Sequence, residues 1–159
     1  MEILVVISIV SILTGMAMLS AKSMLSTYRV NGATRQIYSD LQFTRLNAIK
    51  SNNECAFEFS GSTYCIKNSK GANDDWDAGC SGSDDVTVKT SNLSNDYYGI
   101  TINKTFTRMR FYSDGTAKKD DAGTDTTITI CNSARAQKIL INTSTGNIRI
   151  DKDSAAPCP

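Results

Sequence analysis

Asn73, Asp75, Asp77 and Asp84 stand at the first, third, fifth and twelfth places of an EF-hand-like spacing. That pattern gathers oxygen ligands around Ca2+. Ala78 occupies the sixth place, where such a loop needs glycine, and Asp84 is short for the bidentate glutamate expected at the twelfth. A solvated loop anchored on the body by Trp76 is therefore the expectation, and Ca2+ is the weaker reading. Five cysteines (Cys55, Cys65, Cys80, Cys131 and Cys158) form no CxxC pair. Histidine is absent, so a zinc site would need cysteine and carboxylate ligands alone. Their wide spacings fit disulfides in an oxidising compartment. The favoured arrangement bridges Cys55–Cys65 across one hairpin and Cys131–Cys158 between a strand and the tail, with Cys80 left over; other pairings stay open. Without histidine, a GxSxG elbow, a glycine-rich phosphate loop or a thiol activator, no catalytic constellation is present, so the chain reads as a non-enzyme without cofactors.

The elements that carry these residues follow from hydrophobic period. The 159 residues carry a net charge of +1 and no long run of one sign, so nothing demands a polyanionic partner. From Ile3 to Leu19 no side chain is charged, and Glu2 stands at the head of that run. Seventeen residues make about 25 Å of helix, slightly short of the ~20 needed to span a bilayer. A cleavable signal peptide would need a basic n-region, and only Met1 and Glu2 precede the run. A helix apolar all round would need a larger core than this chain can build. The run reads as a membrane or helix-bundle segment, and Ser11 and Gly15 form a small-xxx-small pair that permits close helix approach.

No breaker follows. Leu25, Tyr28, Ala33, Ile37, Leu41 and Ala48 continue at helical period to the "SNNE" at 51–54, so one helix is expected from residue 2 to about 51. The period then changes to two. "CAFEFSGSTYCIK" reads as a hairpin about the Ser-Gly-Ser at 60–62, and "VTVKT", "YGITI", "RMRFYS", "TITIC", "QKILIN" and "NIRID" read as further short strands. The fold class is α+β: an N-terminal helix whose hydrophobic half (1–24) protrudes, an amphipathic half (25–53), and an antiparallel β domain (54–159) on which that second half lies.

"EILVVISIVSIL", "DLQFTRLNAIKSN", "DDWDAGC" and "MRFYSDGTA" with "TITICNSARAQKILINTSTGNIRI" together resemble the type IV pilin superfamily, and within it the FimT/FimU and GspH group of minor pilins and pseudopilins. The resemblance implies a pilin fold and a filament subunit made in the bacterial inner membrane. It further implies processing by a prepilin peptidase, N-methylation, and assembly with other pilin subunits into an extracellular filament or a periplasmic pseudopilus. In that family the glutamate is the fifth mature residue; here it is second, so the chain is expected to start inside the signature, with Met1 at the fourth place. Glu2 would then neutralise the N-terminal ammonium of an adjacent subunit. Some FimT-like pilins take part in DNA uptake through late basic residues, which raises Arg135, Lys138, Arg149 and Lys152. Asp151 and Asp153 dilute that charge and no aromatic is interleaved to stack bases, so a solvated strand face is the plainer reading.

Overall fold

Helix α1 runs unbroken from Glu2 to Ser51, about 75 Å at the standard rise. The computed structural model describes residues 2–69, 76, 79–80, 86–121 and 125–151, without the side chains of 16–23. The helix continues because no proline precedes residue 157, and it tolerates Gly32 for a packing reason. A Cβ there would lie 2.7 Å from the Tyr97 ring, so the glycine lets that ring close on the helix. The stop is made by Asn52, which takes the left-handed conformation (φ 49°) that asparagine enters readily. The Asn53 N–H then closes on the Ala48 carbonyl at 3.2 Å.

Val30, Ala33, Ile37, Leu41 and Ala48 form one fully buried stripe on α1, each large member contributing roughly 1.5–3 kcal/mol by burial. Two antiparallel sheets cover it. The first has the order β3 (Val86–Asn92), β2 (Thr63–Asn68), β1 (Cys55–Ser60), β5 (Arg108–Phe111), β6 (Ala117–Lys119). The second has the order β4 (Thr101–Lys104), β7 (Thr127–Cys131), β8 (Ala136–Ile141), β9 (Ile148–Asp151). A one-turn helix α2 (Leu93–Asp96), capped by Asn92, joins β3 to β4. Strand alternation sends Phe57, Phe59, Tyr64, Ile66, Met109, Phe111, Ile128, Ile130 and Ile139 into one core with the helix stripe.

Arg45 joins the two sheets. Its Nε–H donates to the Gly115 carbonyl at 3.0 Å, and its Nη2 donates to the Thr145 carbonyl at 3.0 Å. Gly115 sits in the β5–β6 turn and Thr145 in the β8–β9 turn, so one helix residue fixes a turn of each sheet. Gly146 holds φ +62°, and a Cβ there would land on the Gly115 carbonyl oxygen. The two turns meet closely enough to require glycine.

The charged groups that enter the interior are paired. Asp40 on α1 accepts hydrogen bonds from the Tyr64 hydroxyl and, at 2.7 Å, from Lys89 Nζ of the edge strand β3. On the far side of the first sheet the buried Glu58 meets the fully buried Lys67 at 3.4 Å and Arg108 at 3.2 Å, and it accepts the Gly79 N–H at 2.7 Å. A lone buried Lys67 would be heavily penalised, so the carboxylate is the condition of its burial.

The cysteine pairing differs from expectation. Cys65 is bonded to Cys80, and Cys55 is free and buried. The hairpin turns on two residues rather than three, so Cys55 pairs with Asn68 and Cys65 with Glu58. That register puts the two thiols on opposite faces of the sheet, where no bridge can form. Cys131 is also disulfide-bonded; its expected partner, Cys158, lies outside the described residues. Burial pushes the Cys55 thiol up to about 11, its hydrogen bonds from Ser51 and Asn47 opposing only part of the rise.

Two outcomes follow. Alkylation of the non-reduced protein at pH 8 should add nothing to the native state and one group after denaturation, read by intact mass; a peptide map joining residues 55 and 65 would refute the register. Arg45→Ala should cost about 2 kcal/mol, the worth of charge-assisted hydrogen bonds. Gly146→Ala should cost at least as much through backbone strain. Both are measurable as urea midpoints by near-UV circular dichroism.

Candidate assembly interface

The first half of α1 touches nothing else in the described chain. Ile3, Leu4, Val5, Val6, Ile7, Ile9, Val10, Ile12 and Leu13 are between 53% and 75% exposed. Leaving this surface in water costs on the order of 10 kcal/mol of unrealised burial. A surface so large and continuous marks an interaction site. Among the described residues no helix is long and apolar enough to cross a membrane.

The hydroxyls interrupting that surface are turned inward. Ser8 donates to the Val5 carbonyl at 2.7 Å, Ser11 to Ile7 at 2.8 Å and Thr14 to Val10 at 2.7 Å. Each hydroxyl proton is satisfied within its own helix, as a non-aqueous surrounding requires. A Cβ on Gly15 would find no atom within 4 Å. Nothing in the fold of the monomer demands glycine at that position. It lies one turn beyond Ser11, so both small residues share one face. Glu2 lies in the first turn, where the helix dipole favours an anion.

The other expected sites fare differently. Asn73, Asp75, Asp77 and Asp84 lie outside the described residues, and Trp76 is half-buried. Among the described residues no group of three or more His, Cys, Asp or Glu side chains could hold a metal. The late basic residues are not gathered. Lys138 and Arg149 share the outward face of the second sheet, where Lys138 pairs across with Asp151 and Arg149 with Leu140. Arg135 lies in the β7–β8 turn and faces a cavity beside α1, and Lys152 is outside the described residues. Arg45 was not singled out by the sequence pattern. The clue was two glycine turns, "SDG" and "STG", each needing an anchor.

The stretch from Ala33 on the buried stripe of α1 to Thr145 in the β8–β9 turn is what a known family shares. A family model described as type II transport protein GspH matches residues 33–145, more than half of the chain. The chain belongs to the GspH family. It is thereby a member of the type IV pilin and pseudopilin superfamily. Solved structures agree on the fold. The Pseudomonas aeruginosa type IV minor pilin FimU, in two crystal forms, matches at TM-scores of 0.59 and 0.56 with 17% and 18% identity. Those alignments cover 82% and 80% of this chain and 94% and 96% of FimU. The minor pseudopilin EpsH from the type 2 secretion system of Vibrio cholerae matches at 0.53 with 12% identity, covering 80% of this chain and 99% of EpsH. Comparison with curated proteins finds no match. The α+β pilin fold expected from the sequence is the fold of this GspH-family chain.

Because Ser11 bonds only to its own helix and Gly15 contacts nothing, Ser11→Ala and Gly15→Leu should leave the folded body intact. Their melting temperatures should fall within about 1 °C of wild type, since substitutions away from packing features shift stability little. A larger drop would show that the first half-helix packs on its own body.

Proposed function

We propose that this chain is a structural subunit of a type IV pilus-like filament, assembled through the first half of α1. The observation that carries the reading is the exposed apolar half-helix whose described hydroxyls, on Ser8, Ser11 and Thr14, are folded onto carbonyls of their own helix. Such a rod is prepared for a surrounding without water and without outside hydrogen-bond donors. Before assembly that surrounding is the bacterial inner membrane, where a prepilin peptidase processes the precursor. Afterwards it is the bundle of neighbouring helices, where Ser11 and Gly15 admit close approach. The β domain faces outward on an extracellular filament or a periplasmic pseudopilus.

Glu2 sets the axial register in this reading. Its carboxylate pairs with the N-terminal ammonium of an adjacent subunit, in a medium where an unpaired charge is expensive. Such a pair selects one position along the neighbour more effectively than it adds stability.

A GspH-like minor pseudopilin of a type II secretion system is the second reading, favoured by the family match over residues 33–145. Imaging of purified filaments separates the two. A chain that builds the whole shaft is a major pilus subunit, and one present in traces is a minor subunit of a pilus or pseudopilus. Glu2→Ala and Gly15→Leu test the shared core of both readings. Co-purification with filaments should fall at least tenfold for each while the Cys65–Cys80 bridge stays intact. Wild-type incorporation of both variants would reject assembly through this helix face.

A further inference from the structure

Just past the apolar run the exposed surface of α1 changes character. Tyr28 and Tyr98 are 59% and 79% exposed, and Tyr98 is more open to solvent than any described residue of the run itself. Arg29 ties Tyr98 to the helix at this level. Its Nη1 donates to the Tyr98 carbonyl at 3.3 Å, and its guanidinium stands 5.9 Å from the centre of the Tyr98 ring. The loop is built to present that ring. Tyr97 turns inward and closes on Gly32, and Gly99, at φ +78°, turns the chain directly afterwards. Tyr98 is left projecting beside Arg29. The exposed Met24 and Leu25 lie between this patch and the apolar run.

Each member of the patch has one part suited to a dry surrounding and one that stays wet. A tyrosine pairs an apolar ring with a hydroxyl. Arg29 makes no ion pair among the described residues; Asp96, two residues before Tyr98, accepts instead from the Ser91 hydroxyl at 3.2 Å. The height of the patch says where such groups belong. Lys22 is the first charge after the run, and Tyr28 and Arg29 follow it by six and seven residues, about 9–10 Å of helix. The headgroup region adds roughly 5–7 Å beyond each face of the hydrocarbon, and helical side chains lean back toward the N-terminus. With the run in hydrocarbon, Tyr28 and Arg29 come down at headgroup depth, and Tyr98 with them. Tyrosine rings concentrate at that depth, and anionic lipids attract arginine there. A neighbouring subunit would have to bring a carboxylate to this spot, whereas a bilayer presents phosphates all round it.

We propose that Tyr28, Arg29 and Tyr98 form a contact for the headgroups of an anionic bilayer. Arg29 pairs with a lipid phosphate, and the two tyrosine rings lie among the headgroups on either side of the dry boundary. The inference rests on the reading that the first half of α1 lies in the membrane before assembly. It goes beyond that reading by giving the body its own hold on the lipid. Tyr28 belongs to α1 and Tyr98 to the loop before β4, so the contact fixes both the height and the rotation of the β domain above the leaflet.

The test uses the full-length protein at one copy per nanodisc. Tyr98→Trp places a fluorophore in the patch, and the parent protein, whose single tryptophan is Trp76, is the blank. In discs of phosphatidylcholine with phosphatidylglycerol, a nitroxide on the lipid headgroup should quench the added emission at least twofold. Arg29→Gln, or omission of phosphatidylglycerol, should remove at least half of that quenching. Arg29→Lys keeps the charge and should preserve most of it. Val10→Trp with a nitroxide at mid-chain reads the placement of the half-helix separately. Quenching of the Val10→Trp variant without quenching of the Tyr98→Trp variant would overturn the headgroup contact and leave the membrane reading standing; no quenching of either would reject both. Headgroup quenching unchanged by Arg29→Gln and by omission of phosphatidylglycerol would also overturn the assignment. A blue shift of the Tyr98→Trp emission found only in purified filaments would give the patch to a neighbouring subunit instead.

Discussion

Arg45 makes two hydrogen bonds to carbonyls of different sheets, and the arrangement of the body depends on that bridge. The two sheets share no strand pairing; they are joined by the helix stripe they both cover, by the Ala117 N–H donating to the Thr143 carbonyl at 2.9 Å, and by the contact of their turns at Gly115 and Gly146. Apolar burial on the stripe is strong but undirected, and would tolerate rotation of one sheet against the other. The guanidinium fixes the angle, because its planar fork meets both carbonyls only when the turns are in one relation. Glycine at 115 and 146 is the complementary half of the constraint. Both residues hold positive φ, and the space between them admits no Cβ at 146.

The apolar core is closed by α1 residues from 30 onward, and just before them Ser26 and Arg29 still bond to Asn132 and Tyr98. The first turns of the helix are left to serve another surface. That division explains how one uninterrupted helix carries two unlike surfaces. The second half has polar groups aimed at specific partners in the sheets, such as Gln36 toward Tyr64 and Ser91. In the first half every described hydroxyl is satisfied locally. Stability and assembly thus draw on separate residues of one element, so either can change without the other.

Helix boundaries and strand positions were legible in the sequence because both rest on local pattern. The 3.6-residue stripe ended at the asparagines of "SNNE", and the period-two segments lay between turn residues. The hairpin register was not. Taking Ser60 to Ser62 as a three-residue turn shifts every cross-strand partner by one, and one step moves each side chain to the other face. Cys55 then seems able to face Cys65, whereas the two-residue turn gives it Asn68 and sends Cys65 toward Glu58. Strand β6 and helix α2 were missed because three or four residues carry too little period to be read. The clamp escaped for a different reason. Arg45 meets residues 70 and 100 positions away. Sequence neighbours say nothing of such a contact.

Charge follows one rule in the body. Each buried carboxylate, and the buried lysine, of the described body has an opposite charge beside it. Asp40 has Lys89, and Glu58 has both Lys67 and Arg108. Asp120 lies between Arg108 and Arg110 near the surface. Each partner arrives from another strand or from the helix, so neutralisation and tertiary contact are achieved together.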